Sequence, residues 1–237
     1  MNGSFPAAMD ALSRQTDDSS SFSFPFVDVF PVTGAAVSTL GRLLGSETLS
    51  ASDPQAARLD ELQFDLGEGP CWDAMTTARP VLTPDVRTQS PRRWPAFARA
   101  IDADELGAIF AFPLVIGPLR IGAVDLYSKR PTELTPIQSR QASEMADAVS
   151  RQVLRQALMR IGSDGSEDKA VNAFSRRVIH QATGMVLSQL DVPIDDARLV
   201  IEGHAFASNR SMMDVATDIV NGELNFSVRS TGIEASE

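Results

Sequence analysis

The side chains best suited to chemistry fall into two groups. Toward the C-terminus, Arg176, Arg177, Gln181, Thr183 and His204 supply two cations, an amide, a hydroxyl and an aromatic ring. On a regular helix, Arg177, Gln181 and Gly184 share one face at i, i+4 and i+7. Such a face can stack an unpaired base on a guanidinium and hydrogen-bond its edge, with Gly184 giving clearance for close approach. Taken one by one, the arginines also fit an ordinary solvated face, and His204 also fits the closure of a core. The second group is Cys71, Trp72, Phe110, Phe112, Asp125 and Tyr127. Aromatic walls with a few polar groups suit a small-ligand pocket, and they suit plain core packing as well. Cys71 has the chemistry for a thioether-linked chromophore or a redox sensor. A lone cysteine beside Trp72 also reads as a small core residue.

Other chemistry is excluded more sharply. No Ser/His/Asp arrangement, phosphate-cradling glycine loop or HxxxH metal pair occurs, so the sequence predicts a non-enzyme. Gly67-Glu68-Gly69 has no lysine or downstream fingerprint that would make it a nucleotide motif. A single cysteine rules out an internal disulfide and a Cys-rich zinc site. The opening residues carry Asp10, Asp17 and Asp18 and have no apolar core, unlike a secretory signal. No run is long enough to span a bilayer. Cytoplasmic residence is the expectation, with no membrane partner and no cofactor. The net charge of −10 works against general nucleic-acid affinity, which comes mainly from neutralised phosphates.

The elements that must position these residues follow from periodicity and breakers. Met1 to Ser23 is polar and reads as a mobile leader. Phe24 to Val32 reads as the opening of a sheet, and Val37 to Leu44 fits either a helical turn or a strand. A helical pattern (Ala56, Leu59, Leu62) runs into Gly67-Glu68-Gly69-Pro70, a strong break. A short helix over Cys71 to Ala78 follows, with Pro70 suited to its first position. Val81 to Val86, Gly107 to Leu114 and Leu119 to Tyr127 read as strands, the last two joined by a turn at Gly117-Pro118. Thr135 caps a long helix with Pro136 at N1. Along it Met145, Val149, Val153, Ala157 and Ile161 form one apolar stripe over ~27 residues, ~40 Å of helix. The stripe predicts a homodimer seam in preference to packing on the chain's own sheet. Gly162-Ser163-Asp164-Gly165-Ser166 marks a domain boundary. Three helices follow, over Val171 to Leu190, Ile194 to Phe206 and Met212 to Val220, the last capped by Ser211.

The run Arg177-Val178-Ile179-His180-Gln181-Ala182-Thr183-Gly184-Met185-Val186-Leu187, with Asp195-Asp196-Ala197, His204-Ala205 and Val215-Ala216, resembles the ANTAR domain. The likeness covers roughly residues 170 to 222. It implies a three-helix module that binds hairpin-containing nascent RNA and prevents a terminator from forming. The RNA-binding residues it implies are Arg176, Arg177, Gln181, Thr183, Gly184, His204 and Arg210. Two departures bear on affinity: Thr183 stands where the family has lysine, and Glu202 places an acid on the second helix. Between Asp168 and Asp218, acids outnumber bases. One module should therefore bind weakly, and two linked modules gain by effective concentration.

Gly67-Glu68-Gly69-Pro70-Cys71-Trp72-Asp73-Ala74, Arg93-Trp94-Pro95 and Ile121-Gly122-Ala123-Val124-Asp125-Leu126-Tyr127 resemble a GAF domain. The match runs over roughly residues 24 to 160 and is poor before Ala56, where the opening helix looks shortened or missing. It implies small-molecule sensing, with an unknown ligand in a pocket under the sheet lined by some of Cys71, Trp72, Phe110, Phe112, Asp125 and Tyr127. Haem is excluded, because His180 and His204 both lie in the helical module. The expected architecture is α+β: a GAF-like antiparallel sheet flanked by helices, a long connecting helix and a C-terminal three-helix bundle. Its expected parts are a leader over 1–23, a sensor domain over 24–162, an RNA-binding module over 168–224 and a tail over 225–237. The function expected is signal-responsive transcription antitermination. Its rivals are a DNA-binding module, disfavoured by the lack of basic residues over Met212 to Val220, and a helical protein-interaction module.

Overall fold

The computed structural model describes residues 3–14, 21–40, 44–101, 106–162, 177–208, 210–229 and 232–236. The chain divides into two units, Met1–Phe174 and Ser175–Glu237. In chain order the first holds α1 (Phe5–Ser13), α2 (Phe24–Val29), β1 (Gly34–Thr39), β2 (Glu47–Ala51), α3 (Pro54–Leu66) and α4 (Pro70–Thr77). There follow β3 (Val81–Thr83), α5 (Val86–Arg93), α6 (Pro95–Ala100), β4 (Ala108–Ile116), β5 (Leu119–Ser128) and α7 (Pro136–Gly162). The strands make one antiparallel sheet in the order β2-β1-β5-β4-β3.

Period-two alternation sorts this sheet into two faces. On β4, Phe110, Phe112 and Leu114 point to one side and pack with Met145, Val149 and Val153 of α7 and Leu12 of α1. Ile109 and Ala111 point to the other side, toward Leu59 of α3, Ala74 of α4 and Phe97 of α6. The register agrees, with Phe110 opposite Leu126 and Phe112 opposite Val124 on β5. Helix starts follow ordinary capping chemistry. Asp53 accepts from the backbone N–H groups of Gln55 and Ala56, each at 3.0 Å. Thr135 and Gln138 form a reciprocal pair, each side chain accepting the other's backbone N–H at 3.2 and 2.9 Å, a capping box with Pro136 inside it. Gly67 at φ 62° ends α3, and Gly69 at φ 140° turns the chain into α4. Both values are ones glycine adopts at low cost.

Several expectations are corrected here. The leader is not uniformly mobile: Phe5–Ser13 is a helix capped by Ser4, with Ala8 and Leu12 buried against the core. Phe5 and Met9, partly buried, pack against the same core, so the helix presents an apolar face at helical spacing. Phe24 to Val32 opens with helix α2, because Pro25 fits a first helical turn and Phe26 buries completely. Val37 belongs to a strand, β1. The strand expected over Val81 to Val86 stops at Thr83, where Asp85 caps α5. Met145, Val149 and Val153, assigned to a dimer seam, are 0, 0 and 4% exposed inside their own domain. These three residues of the stripe pack on the chain's own sheet, while Ala157 further along is half-buried.

The second unit holds α8 (Arg177–Leu190), α9 (Ile194–Ser208), α10 (Met212–Asn221) and a hairpin, β6 (Asn225–Arg229) with β7 (Gly232–Ser236). Its core is apolar, drawn from Ile179, Val186, Ile201, Val215 and Ile219 among others. Ser211 caps α10 by accepting from Asp214 N at 3.1 Å, and Gly222 at φ 79° closes it. The tail expected beyond residue 225 forms the hairpin. Gln189 ties it to α8, accepting from Phe226 N at 3.0 Å and donating to Asn225 at 3.1 Å, while Phe226 is buried. The start of the first helix before Arg177, and the boundary loop, lie outside the described residues.

Candidate functional site

The most unusual chemistry of the first unit lies between α3 and the sheet. Helix α3 turns Ala56, Leu59, Asp60, Gln63 and Phe64 inward, so two polar side chains stand on a core-facing helical stripe. Asp60 is 1% exposed and Gln63 is fully buried. Asp60 accepts from Ser38 Oγ of β1 at 3.0 Å and from Thr48 Oγ1 of β2 at 2.5 Å. Gln63 is held three ways. Its Oε1 accepts from the Cys71 backbone N–H at 2.9 Å, and its backbone carbonyl accepts from the Trp72 indole N–H at 2.7 Å. Its amide nitrogen donates to Asp125 Oδ2 at 2.5 Å. The Cys71 bond thereby decides which end of the amide faces Asp125.

Asp125, on β5, is 6% exposed, and its Oδ1 has no hydrogen-bond partner among the described residues. Burial pushes its carboxyl well above the usual carboxylate range; the nearby Asp60 charge adds to this, and the Gln63 donor opposes it. Burial likewise pushes the Cys71 thiol up, with Asp125 and Asp60 adding to the effect. Both effects disfavour the thiolate, which is the reactive form. This supports the core reading of Cys71. The cluster can hold a proton at a higher pH than an ordinary aspartate, or accept a hydrogen bond from an incoming donor at Oδ1.

The remaining motif residues tie neighbouring elements together. Glu68 accepts from Phe97 N at 2.6 Å at the start of α6. Asp73 accepts from Arg93 at 2.8 Å and from the Trp94 indole at 3.2 Å, with the Arg93 guanidinium 4.8 Å above the Trp94 ring. Tyr127 donates to Asp53 at 2.8 Å, which ties β5 to the cap of α3. The expected pocket residues are therefore not one lining. Cys71, Asp125 and Tyr127 lie on the α3/α4 face, with Trp72 packed beside Cys71, whereas Phe110 and Phe112 lie on the α7 face. Phe110 and Phe112 occupy even positions of β4, and the register of β4 on β5 sends them to the far side. Asp60, Gln63, Ser38 and Thr48 were not foreseen. The available signal was Asp60 and Gln63 falling in step with Ala56 at i+4 and i+7.

In the second unit, His180, Gln181 and Gly184 form an exposed face of α8. A Cβ added at Gly184 would meet nothing within 4 Å. Arg177 opens this helix, and Arg176 lies outside the described residues. The others are placed differently from expectation. Thr183 is 5% exposed, with its hydroxyl donating to the Ile179 carbonyl at 2.7 Å, because it follows Ile179 by one turn on the core side. A lysine placed there would meet the core. Arg210 is paired with Asp218 at 2.6 Å. His204 packs edge-to-face on Phe226, centroids 5.5 Å apart.

The GAF domain family matches residues 8–153. The GAF domain of an Acinetobacter phosphoenolpyruvate-protein phosphotransferase is similar in fold, with a TM-score of 0.52 at 8% identity, covering 69% of this chain and 95% of that one. The GAF domain of the corresponding Coxiella burnetii protein gives 0.50 at 7% identity, covering 66% and 94%. At such identities the likeness concerns the fold alone. Among curated proteins, none matches the chain. Among the described residues, no helix is long and apolar enough to cross a membrane, and no group of three potential metal ligands occurs.

Proposed function

The chain belongs to the GAF domain family, and on that premise we propose that it is a sensor controlling an RNA-binding output, a signal-responsive transcription antitermination regulator and not an enzyme. The signal is read in the first unit, where Asp125 offers a buried acceptor next to Gln63 and Asp60. The output is the helical unit, whose α8 run resembles the ANTAR domain. The observation that carries this output is the exposed Gln181–Gly184 face. A mid-helix glycine costs roughly 0.5–1 kcal/mol relative to alanine, and nothing within the unit crowds Gly184. Clearance for a base is a use that offsets the cost.

Two copies acting together suit the weak cationic character of one unit, through effective concentration. Because Met145, Val149 and Val153 are occupied, a seam on α7 falls to its outer side, where Leu158 is 60% and Met159 46% exposed. The test is a titration of the full chain against a two-hairpin RNA and a duplex DNA of equal charge. RNA should bind more tightly at matched salt. Gln181→Ala should weaken RNA binding about tenfold, as a base contact of ~1–3 kcal/mol allows, without altering the melting curve. Equal affinity for both nucleic acids, or an unaffected Gln181→Ala, would overturn the reading.

A further inference from the structure

Helix α9 has its two sides divided cleanly. Ala197, Ile201 and Ala205 repeat every fourth residue and are buried in the core of the second unit. On the opposite side Leu199, Gly203 and Phe206 follow at i, i+4 and i+7, the spacing of a single helical strip. Leu199 is 61% exposed and Phe206 70%. Beside the strip a groove of about 270 Å³ runs between α9 and the hairpin, lined by Leu199, Gly203, His204, Phe226 and Ile233 among others. Ile233 adds a further half-exposed aliphatic side chain, at 48%.

Two features have no account inside the unit. A Cβ added at Gly203 would meet nothing within 4 Å, so packing does not require glycine, although mid-helix glycine is costly. Leu199, at the groove, and Phe206, further along the helix and outside the groove lining, leave apolar surface in water. The setting is acidic. Asp195, one turn before Leu199, and Asp196 beside it are both exposed. Acids outnumber bases across residues 177–236, and Arg210, which follows the helix, is committed to Asp218.

We propose that this strip is a docking surface for an amphipathic helix with basic flanks, presented by a partner protein. Apolar side chains one turn apart would enter the groove at Leu199 and cover Phe206 further along the helix, as in helix-in-groove recognition. Gly203 lets the partner's backbone approach, and lysine or arginine on the partner's flanks answers Asp195 and Asp196. Charge selects this occupant. A nucleic acid would set phosphates against the two aspartates, and a second copy of the chain would bring the same acids to the seam. The proposal concerns another helix face than the RNA reading of α8 and stands independently of it.

The test uses the full chain and a fluorescein-labelled amphipathic peptide of about 18 residues, long enough for a stable helix, built from leucine and lysine. Its counterpart replaces every lysine by glutamate. Saturable anisotropy with the lysine peptide, and none with the glutamate peptide, is expected. Leu199→Ser and Phe206→Ser are exposed changes that should leave circular dichroism unaltered. Each should weaken the peptide about tenfold, as for residues central to an interface. Asp195→Asn with Asp196→Asn should weaken it less and flatten its salt dependence. Absence of saturable binding overturns the proposal, as does binding that Leu199→Ser leaves unchanged. Two further outcomes also overturn it: Leu199→Ser weakening hairpin RNA instead of the peptide, and Leu199→Ser dissociating a dimer that the peptide does not compete with. Gln181→Ala reads the RNA proposal separately, and the peptide should be indifferent to it.

Discussion

The two faces of the sheet solve the same packing problem with opposite chemistry. Toward α7 the interface is aliphatic and aromatic: Phe110, Phe112 and Leu126 meet Met145, Val149 and Val153. Toward α3 and α4 the strands also meet fully buried side chains, yet Asp60, Gln63 and Asp125 stand among them. A buried polar group is costly unless it is hydrogen-bonded, and here every donor and acceptor named is matched except Asp125 Oδ1. The first face needs only shape and area. The second depends on a particular set of hydrogen bonds, with one place left open. That contrast is the physical reason to look for the sensor on the α3 side.

The largest expected effect tests the apolar face. Val149→Glu would bury a carboxylate with no partner against the aromatic side of β4, a change expected to cost about 4 kcal/mol or more. Thermal melting should show a large loss of stability. A variant that melts like the wild type while sedimenting as a smaller species would restore the dimer seam and undo the contrast.

The polar face should respond to a smaller change of size. Gln63→Ala removes the donor to Asp125 and the acceptor for Cys71 N, leaving buried groups unsatisfied. The expected loss is about 2–4 kcal/mol in urea unfolding, from unmet hydrogen bonds together with the vacated volume. Near-neutral behaviour would mean that the cluster is ordinary filler.

The smallest effect should be Asp125→Asn, and it is read against pH. The folded carboxyl is held above its unfolded range. Its contribution to stability is therefore fully present below the unfolded aspartate pKa of ~3.9 and is lost as pH rises through the folded value. Asparagine cannot ionise, so the variant should gain on the wild type over that window, by roughly 1–3 kcal/mol at its upper end. Melting both proteins across the range checks it. Parallel curves would show that Asp125 is not the group responsible.

In the C-terminal unit the exceptions run the other way. The core is apolar, and its buried Thr183 satisfies its own hydroxyl one turn back at Ile179. The irregularity is outside, in Leu199, Gly203 and Phe206. Helical periodicity made the inward sides of α8 and α9 legible, because burial follows the 3.6-residue repeat. Whether an outward residue is solvated or kept for a partner is not a matter of periodicity. It emerges from exposure and from the position of the hairpin.

By itself the sequence determined the local grammar: the caps at Thr135 and Ser211, the break at Gly67, and the β4–β5 hairpin. These are set by nearest neighbours, through φ preference, side-chain capping and alternation. It also carried the GAF likeness, through Gly67 to Ala74 and Arg93-Trp94-Pro95, although the bonds that join these two runs span 20 to 29 residues and exist only in the folded chain. Only the tertiary structure decided which surface each stripe would meet. Met145, Val149 and Val153 are apolar in either a dimer seam or a sheet contact, and hydrophobic burial is non-directional, so the pattern could not choose between them. Asp125 and Gln63 stand 62 residues apart in the chain, and only the folding of α3 over β5 brings the donor to the carboxylate. The same holds for the split of Phe110 and Phe112 from Cys71, which one strand's register settles.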